Sequence, residues 1–184
     1  MIERVPGALR TGGRALAGAA LACSLVLAQV AKAAPLDDIF GDPNKDWTEI
    51  KPDTPSPVQD DKLIGFYVSP NTSFRFALDS SSITLGKDGV IHYVLVGTSS
   101  EGARNVSFQG MRCATREVKI YAFGRSDGTW TPARTSAWAR VGESDSNREN
   151  AALYKEILCP DGFPLNLKQV VDRLRTNPYA SIPK

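Results

Sequence analysis

The chain has 184 residues, of which 22 are basic and 20 acidic, and it contains three cysteines and a single histidine. This length suffices for one hydrophobic core and a short appended segment. The formal net charge of +2, with no dense cluster of lysine and arginine, excludes the strong positive field on which nucleic-acid binding depends.

Residues 1–33 have the pattern of a cleavable signal peptide. A basic start is followed by an apolar run over residues 15–30 and by a small-x-small site that ends at Ala33. This run is shorter than the roughly twenty residues that cross a bilayer as a helix, so we expect cleavage near Ala33 rather than a retained anchor. Cys23 loosely matches a lipid-modification site, but the apolar run continues beyond it, so lipidation is not expected. The sequence therefore predicts a periplasmic or secreted protein without a stable membrane anchor.

Removing this leader leaves two cysteines, Cys113 and Cys159, together with 18 basic and 19 acidic residues. An even pair of cysteines in an oxidising compartment predicts a disulfide, which would stabilise the fold by roughly 3 to 4.5 kcal/mol. The spacing differs from a redox-active C-x-x-C pair, and the two cysteines with His92 do not make a familiar four-ligand zinc set. Neither a metal nor any other cofactor is expected.

Residues 34–61 are rich in proline and aspartate and predict an extended tether. Prolines spaced along this stretch forbid a regular helix or a central strand. Four apolar side chains in it are not needed by a solvated linker: Ile39, Phe40, Trp47 and Ile50. They predict docking on a partner or, as we favour, on the globular domain that follows at residues 62–184.

This domain shows strand patterns first and helix patterns later. Strands are predicted at residues 63–68, 74–78, 83–85, 90–96, 105–111, 118–123 and 129–131. A turn is predicted at residues 79–82, and Asp88-Gly89 marks the clearest hairpin. Residues 112–117 fit either a bend or a continuing strand.

Two helices are predicted in the last third of the chain. The first begins at a capping box over residues 146–149 and ends at residues 159–162, and the second begins at Asn166 and ends at Asn177-Pro178. The second carries an apolar stripe that is expected to be buried, made of Leu167, Val170, Val171 and Leu174. The order of elements predicts an α+β fold, with a single antiparallel sheet of about five to seven strands and two C-terminal helices packed on it.

Several motifs of the chain occur together in one bacterial family. They are residues 63–68, residues 78–83, Arg112-Cys113, residues 121–124 followed by Trp130, and residues 153–159. Over residues 45–178 this pattern resembles the cryptic-neisserial-protein-like family of exported proteins. The resemblance implies an exported bacterial domain that contains both Cys113 and Cys159, in agreement with the disulfide. The family is functionally uncharacterised and has no assigned catalytic residues, so the resemblance transfers none.

One group of arginines and aromatic residues is a candidate binding surface. It consists of Arg112, Arg116, Tyr121, Arg125, Trp130 and Trp138. Arginine, tryptophan and tyrosine are the residues from which binding hot spots are built. In a small β domain, however, aromatic side chains usually form the core and arginines cover its edges, and this structural interpretation is favoured.

His92 is the only histidine, and it lies in the middle of a predicted strand. Because side chains alternate along a strand and its neighbours Ile91 and Tyr93 are apolar, it is expected to face solvent or a hydrogen-bond partner. No G-x-S-x-G motif and no phosphate-binding motif accompanies it. The leading hypothesis is a non-enzymatic envelope protein that binds a protein, peptide or other envelope ligand. The alternatives are a small periplasmic hydrolase centred on His92 with a neighbouring Asp or Ser, and an envelope-assembly subunit with an exposed edge strand.

Overall fold

An antiparallel sheet forms the centre of the protein. The computed structural model describes residues 45–142 and 148–176, and within them the sheet has seven strands. The strands are β1 (Leu63–Phe66), β2 (Arg75–Leu85), β3 (Val90–Thr98), β4 (Arg104–Arg112), β5 (Glu117–Gly124), β6 (Trp130–Pro132) and β7 (Ala139–Arg140). Strands β1 to β6 are neighbours in chain order, and β7 pairs with β5. Connections between consecutive strands therefore build the sheet from β1 to β6.

Strand β2 differs from the sequence-based expectation. Residues 79–82 do not reverse the chain; they continue the strand across a register shift between Asp79 and Thr84. The Asp79 carboxylate accepts hydrogen bonds from the backbone N–H and the hydroxyl of Ser81. Side chains that commonly form hydrogen bonds in turns thus form them here at a β-bulge.

Two turns between neighbouring strands can be compared with the sequence-based expectations. The Asp88-Gly89 reversal is confirmed, with Gly89 at φ 80° and a hydrogen bond of 2.8 Å from the Gly86 N–H to the Val90 carbonyl. Positive φ at this position is what glycine permits. Between β4 and β5 the chain makes a turn, so the segment whose form the pattern left open is a bend.

Two helices follow the sheet. Helix α1 (Arg148–Ala152) continues as a π-helical segment (Leu153–Leu158), and α2 spans Leu167–Thr176. Asn166 caps α2: its side-chain oxygen accepts from the Gln169 N–H at 3.0 Å, and the Gln169 side chain accepts from the Asn166 N–H at 3.0 Å. The predicted capping residue Ser146 and the predicted stop at 177–178 lie outside the described residues.

The apolar stripe of α2 is only partly buried. Val170 and Leu174 are fully buried, whereas Leu167 in the first turn is 48 % exposed, so the expectation was wrong for that residue. Strand and helix content, order and packing otherwise confirm the predicted α+β fold. No helix among the described residues is long and apolar enough to cross a membrane.

The sheet is buried on both faces. On the helix face, α1, the π-helical segment and α2 pack over a core that includes Leu78, Ile91, Tyr93, Met111, Leu153, Ile157, Leu158, Val170 and Leu174. A disulfide joins Cys113 to Cys159 on this face, with Cα atoms 5.4 Å apart. On the opposite face, Val94, Val96, Phe108 and Ala122 form a second core. Residues 47–59 cover that second face; we call them the strap, and the face beneath them the strap face.

Candidate binding sites on the two faces of the sheet

The strap crosses the sheet without helix or strand of its own. The Trp47 indole N–H donates to the Asp88 carbonyl at 2.9 Å, and the Ile50 N–H donates to the Asp88 carboxylate at 2.8 Å. Farther along, the Trp130 indole N–H donates to the Pro55 carbonyl at 2.9 Å. Trp47 therefore lies on the domain. Ile50 is half exposed, and Ile39 and Phe40 lie outside the described residues.

Glu49 is the most heavily bonded residue of the strap. Its carboxylate accepts from Lys119 Nζ at 2.7 and 3.0 Å and from the Tyr121 hydroxyl at 2.9 Å. The Trp138 indole N–H lies 3.4 Å from the same carboxylate. We call Lys119, Tyr121 and Trp138 the carboxylate cradle. It combines one cation with two neutral donors, which together match a carboxylate.

The cradle also sets the charge state of its members. Burial alone would raise the pKa of Glu49, but the hydrogen bonds from Lys119, Tyr121 and Trp138 outweigh it and hold this pKa below its usual value. Burial, followed by the nearby Glu49 carboxylate, raises the pKa of Tyr121. The contact therefore pairs an ionised carboxylate with a neutral phenol.

Arg112 extends this surface beside the cradle. Its guanidinium carbon lies 3.5 Å from the centre of the Trp47 ring, and one of its nitrogens lies 3.1 Å from the Glu117 carboxylate. The Trp138 ring meets Trp47 edge to face, with ring centres 5.8 Å apart. A nearly buried cation is thus stacked on one aromatic ring and paired with one acid.

The structure brings together four of the six residues of the candidate binding surface. Arg112, Tyr121, Trp130 and Trp138 all lie on the strap face, where the strap covers them. Arg116 lies elsewhere, on the helix side, where its guanidinium is 5.3 Å from the centre of the Tyr154 ring. Arg125 is exposed at the edge of the strap face, where it lines a cavity with Trp130 and Pro57 and donates to the Thr131 hydroxyl. The sequence analysis did not identify Glu49. The signal that could have identified it is an acidic residue two positions after Trp47, which can pair with the basic residues of this surface.

His92 is buried on the strap face, at 5 % exposure. Its ring lies between Phe108 and Tyr121, at 6.2 and 5.7 Å, and its Nε2 has no hydrogen-bond partner among the described residues. Burial lowers the pKa of His92, and the charges of Asp88 and Glu49 oppose this only in part. The expected solvent contact or partner is therefore missing at Nε2. A cavity of about 560 Å³ lies beside the ring, between the strap and β2.

A larger cavity opens on the helix face, next to the start of α1. Its volume is about 780 Å³, and we call it the open cavity. Its floor carries the buried polar side chains of Ser107, Gln109 and Asn150. Behind them the Tyr93 hydroxyl lies 3.2 Å from the Gln109 side-chain oxygen and 3.3 Å from that of Asn150. The Gln109 amide in turn donates to the Ser107 hydroxyl at 2.8 Å. A polar network thus interrupts an otherwise apolar core.

The rim of the open cavity is aromatic on one side and charged on another. Phe74 and Phe123 are 41 % and 39 % exposed there. Arg148 and Glu149 line the cavity at the start of α1, and burial raises the pKa of Glu149. The part of the chain that the structure describes holds no cluster of three or more His, Cys, Asp or Glu side chains that could bind a metal ion.

Comparison with known proteins identifies the family. The model of the CNP1-like family matches residues 42–175, a range that includes the strap, both faces of the sheet and α1. The chain belongs to the CNP1-like family. It is also 26 % identical over 114 residues to Cryptic neisserial protein 1 of Neisseria gonorrhoeae (strain ATCC 700825 / FA 1090). That match covers 55 % of this chain and 56 % of the neisserial protein, so the chain spans little more than half of this CNP1-like relative. No solved structure matches the chain.

Proposed function

We propose that this CNP1-like protein is a non-enzymatic binding domain of the bacterial envelope, and that its ligand occupies the open cavity. The polar floor of that cavity carries the proposal. Gln109 and Asn150 line this cavity of about 780 Å³ and are at most 5 % exposed, so they place two amides on its buried side, with the Tyr93 hydroxyl in contact with both behind them. Ligand pockets are typically of this size, with a few placed polar groups among apolar walls.

The chemistry of the lining favours an uncharged ligand. Its polar side chains are mostly amides and hydroxyls, including Asn71, Thr72, Ser73, Asn105, Ser107 and Thr135. Its charged side chains, Arg148 and Glu149, have opposite signs. Amide side chains can both donate to and accept from a peptide backbone, and exposed phenyl rings receive apolar side chains. An uncharged peptide segment is the ligand class that this lining fits best.

The disulfide supports an envelope location. Disulfides persist in oxidising compartments and are rare in the cytosol of most bacteria. Together with the predicted leader, the Cys113–Cys159 bond favours export with cleavage near Ala33. N-terminal sequencing of the protein recovered from a periplasmic extract should give a chain that begins at Ala34. A chain recovered only from the cytosol with its first residue intact would contradict this.

Peptide binding can be tested directly on the purified protein. A panel of end-capped, uncharged pentapeptides with one aromatic or aliphatic side chain is titrated while protein chemical shifts are followed. We expect at least one peptide to bind and to shift resonances that line the open cavity. Phe123→Ser should weaken that binding about tenfold, because the ring contributes apolar contact area at the rim.

Phe163→Ser is the matched control. Phe163 is 73 % exposed and is not part of the cavity lining, so its loss should leave peptide affinity unchanged. Asn105→Ala, at the exposed end of the cavity, should weaken binding by a few fold through one lost hydrogen bond. Equal effects of Phe123→Ser and Phe163→Ser, or no peptide binding at all, would refute the assignment.

The hydrolase alternative depends on a partner for His92. Among the described residues, His92 Nε2 has no hydrogen-bond partner, although Asp79 and Ser82 line the same cavity. General-base catalysis needs the base within hydrogen-bond reach of the group that it activates. We therefore do not base the proposed function on this histidine. A hydrolytic activity that His92→Ala abolished would reverse this choice.

A further inference from the structure

The carboxylate cradle has the composition of a ligand site, and the ligand it holds is part of the same chain. Glu49 comes from the strap, whereas Lys119 and Tyr121 come from β5 and Trp138 from the segment before β7. A single carboxylate accepts from all three. Charge-assisted hydrogen bonds of this kind are stronger than neutral ones and specific in geometry.

The strap is held by side chains rather than by a β ladder. It contains no strand, and Pro52, Pro55 and Pro57 remove three backbone donors. Two cavities that are open to solvent lie between it and the sheet, of about 420 Å³ next to the cradle and about 560 Å³ next to His92. The strap therefore rests on a few anchoring contacts, and fewer contacts have to break for it to leave.

Without the strap, the sheet would present an unbalanced cationic surface. The Lys119 side chain is 15 % exposed and loses its counter-ion when Glu49 leaves. Arg112 loses the Trp47 ring that covers it, while its pair with Glu117 remains. A lysine that has lost its counter-ion, beside an arginine that has lost its stacking partner, should favour a ligand that brings a carboxylate and an aromatic ring.

We propose that the carboxylate cradle is a recognition site for acidic peptides, and that the strap fills it from within the chain until a peptide supplied by another molecule takes its place. The ligand carries a carboxylate on Lys119, Tyr121 and Trp138, and an aromatic side chain two residues before it on Arg112. The strap is tethered, so its effective concentration is high, and a peptide of the strap's own sequence should bind more tightly once the strap is weakened. This site lies on the face opposite to the open cavity and does not depend on what binds there.

The test uses the full chain and a synthetic peptide of residues 45–59 as the probe. The strap is weakened by the double substitution Trp47→Ala and Glu49→Gln, and binding of the fluorescently labelled peptide is measured by anisotropy. We expect the double variant to bind the peptide at least about tenfold more tightly than the unmodified chain does. Glu49→Gln alone should give an intermediate affinity, and it serves as the test where the double variant does not fold.

Three controls connect any binding to the cradle. Adding Lys119→Met to the weakened chain should reduce peptide affinity about tenfold, as should a peptide with Gln in place of its Glu. Glu101→Gln, at an exposed position in the β3–β4 turn, should leave peptide affinity equal to that of the unmodified chain. The proposal is wrong if folded variants with a weakened strap bind the peptide no better than the unmodified chain, or if Lys119→Met makes no difference.

Discussion

Beneath its helices the helix face is closed by fully buried aliphatic side chains, whereas the strap face is closed by a segment without regular structure. Leu153, Ile157 and Leu158 are at most 1 % exposed, and a disulfide links their segment to the end of β4. The strap instead relies on the Glu49 and Asp88 carboxylates, on indole contacts and on the packing of Val58, with open cavities beside it. Burial of apolar area is non-directional and adds up over many atoms, while a few polar contacts can be lost one at a time. Stability should therefore be concentrated on the helix face.

The largest expected effect is on the helix face, from removing the disulfide. The double substitution Cys113→Ser and Cys159→Ser should lower the free energy of unfolding by about 4 kcal/mol, since the bond closes a long loop. Urea denaturation of the variant and of the oxidised parent measures the difference. The parent treated with a reductant should match the variant; a parent insensitive to reductant would contradict the bond.

A smaller loss is expected on the strap face from Arg112→Met. This change removes the stacking on Trp47 and the ion pair with Glu117 while keeping the apolar stem, and should cost about 1 to 3 kcal/mol in urea denaturation. Arg112→Lys should recover only part of the loss, because an ammonium cannot stack as a plane. Full recovery by lysine would show that charge alone holds the strap.

The partly buried carboxyls of Glu49 on the strap face and Glu149 on the helix face should respond to acid with opposite signs, because their pKa values are shifted in opposite directions. The pKa of Glu49 is lowered in the fold, so its contribution is fully present above its unfolded pKa and is lost as the pH falls through the folded pKa. The pKa of Glu149 is raised by burial, so its ionised form weakens the fold at neutral pH, and this penalty disappears as the pH falls through the folded value.

Two substitutions separate these contributions in the free energy of unfolding measured across the acid range. Glu49→Gln should destabilise at neutral pH and flatten the decline in acid. Glu149→Gln should stabilise slightly at neutral pH and make the decline in acid steeper. The same sign of change for both variants at neutral pH would contradict the assigned pKa directions.

The smallest effect is expected from His92→Leu. The buried Nε2 of His92 has no partner among the described residues, and burial lowers the pKa of the ring, so protonation opposes the fold. The stability that depends on a neutral ring is present above its unfolded pKa and is lost as the pH falls through the folded one. Leucine should change the free energy of unfolding by less than about 1 kcal/mol at neutral pH and reduce the loss on mild acidification. Urea titrations at neutral and mildly acidic pH measure this, and an unchanged acid response would argue against the assignment.

The sheet and its hairpins were predictable because their signals are local. Period-two alternation and the Asp88-Gly89 turn mark strands from neighbouring residues alone. The same local rules misread residues 79–82 as a turn, since Asp and Ser satisfy a bulge with the side-chain hydrogen bonds that they use in turns. The same rules predicted burial of Leu167, which is half exposed. Periodicity identifies the apolar side of a helix, but it does not show whether the sheet beneath extends as far as the first turn.

The sequence by itself determined the α+β class, the order of the elements and the pair of cysteines that can be joined, because each follows from spacing along a short stretch or from a count. Tertiary structure alone decided which arginines and aromatic residues share a face and what covers them. Glu49 and Lys119 are 70 positions apart, and no local pattern links residues at that separation. Only the folded sheet brings the cradle together, and only the path of the strap shows that its own chain covers four of the six residues of the candidate binding surface.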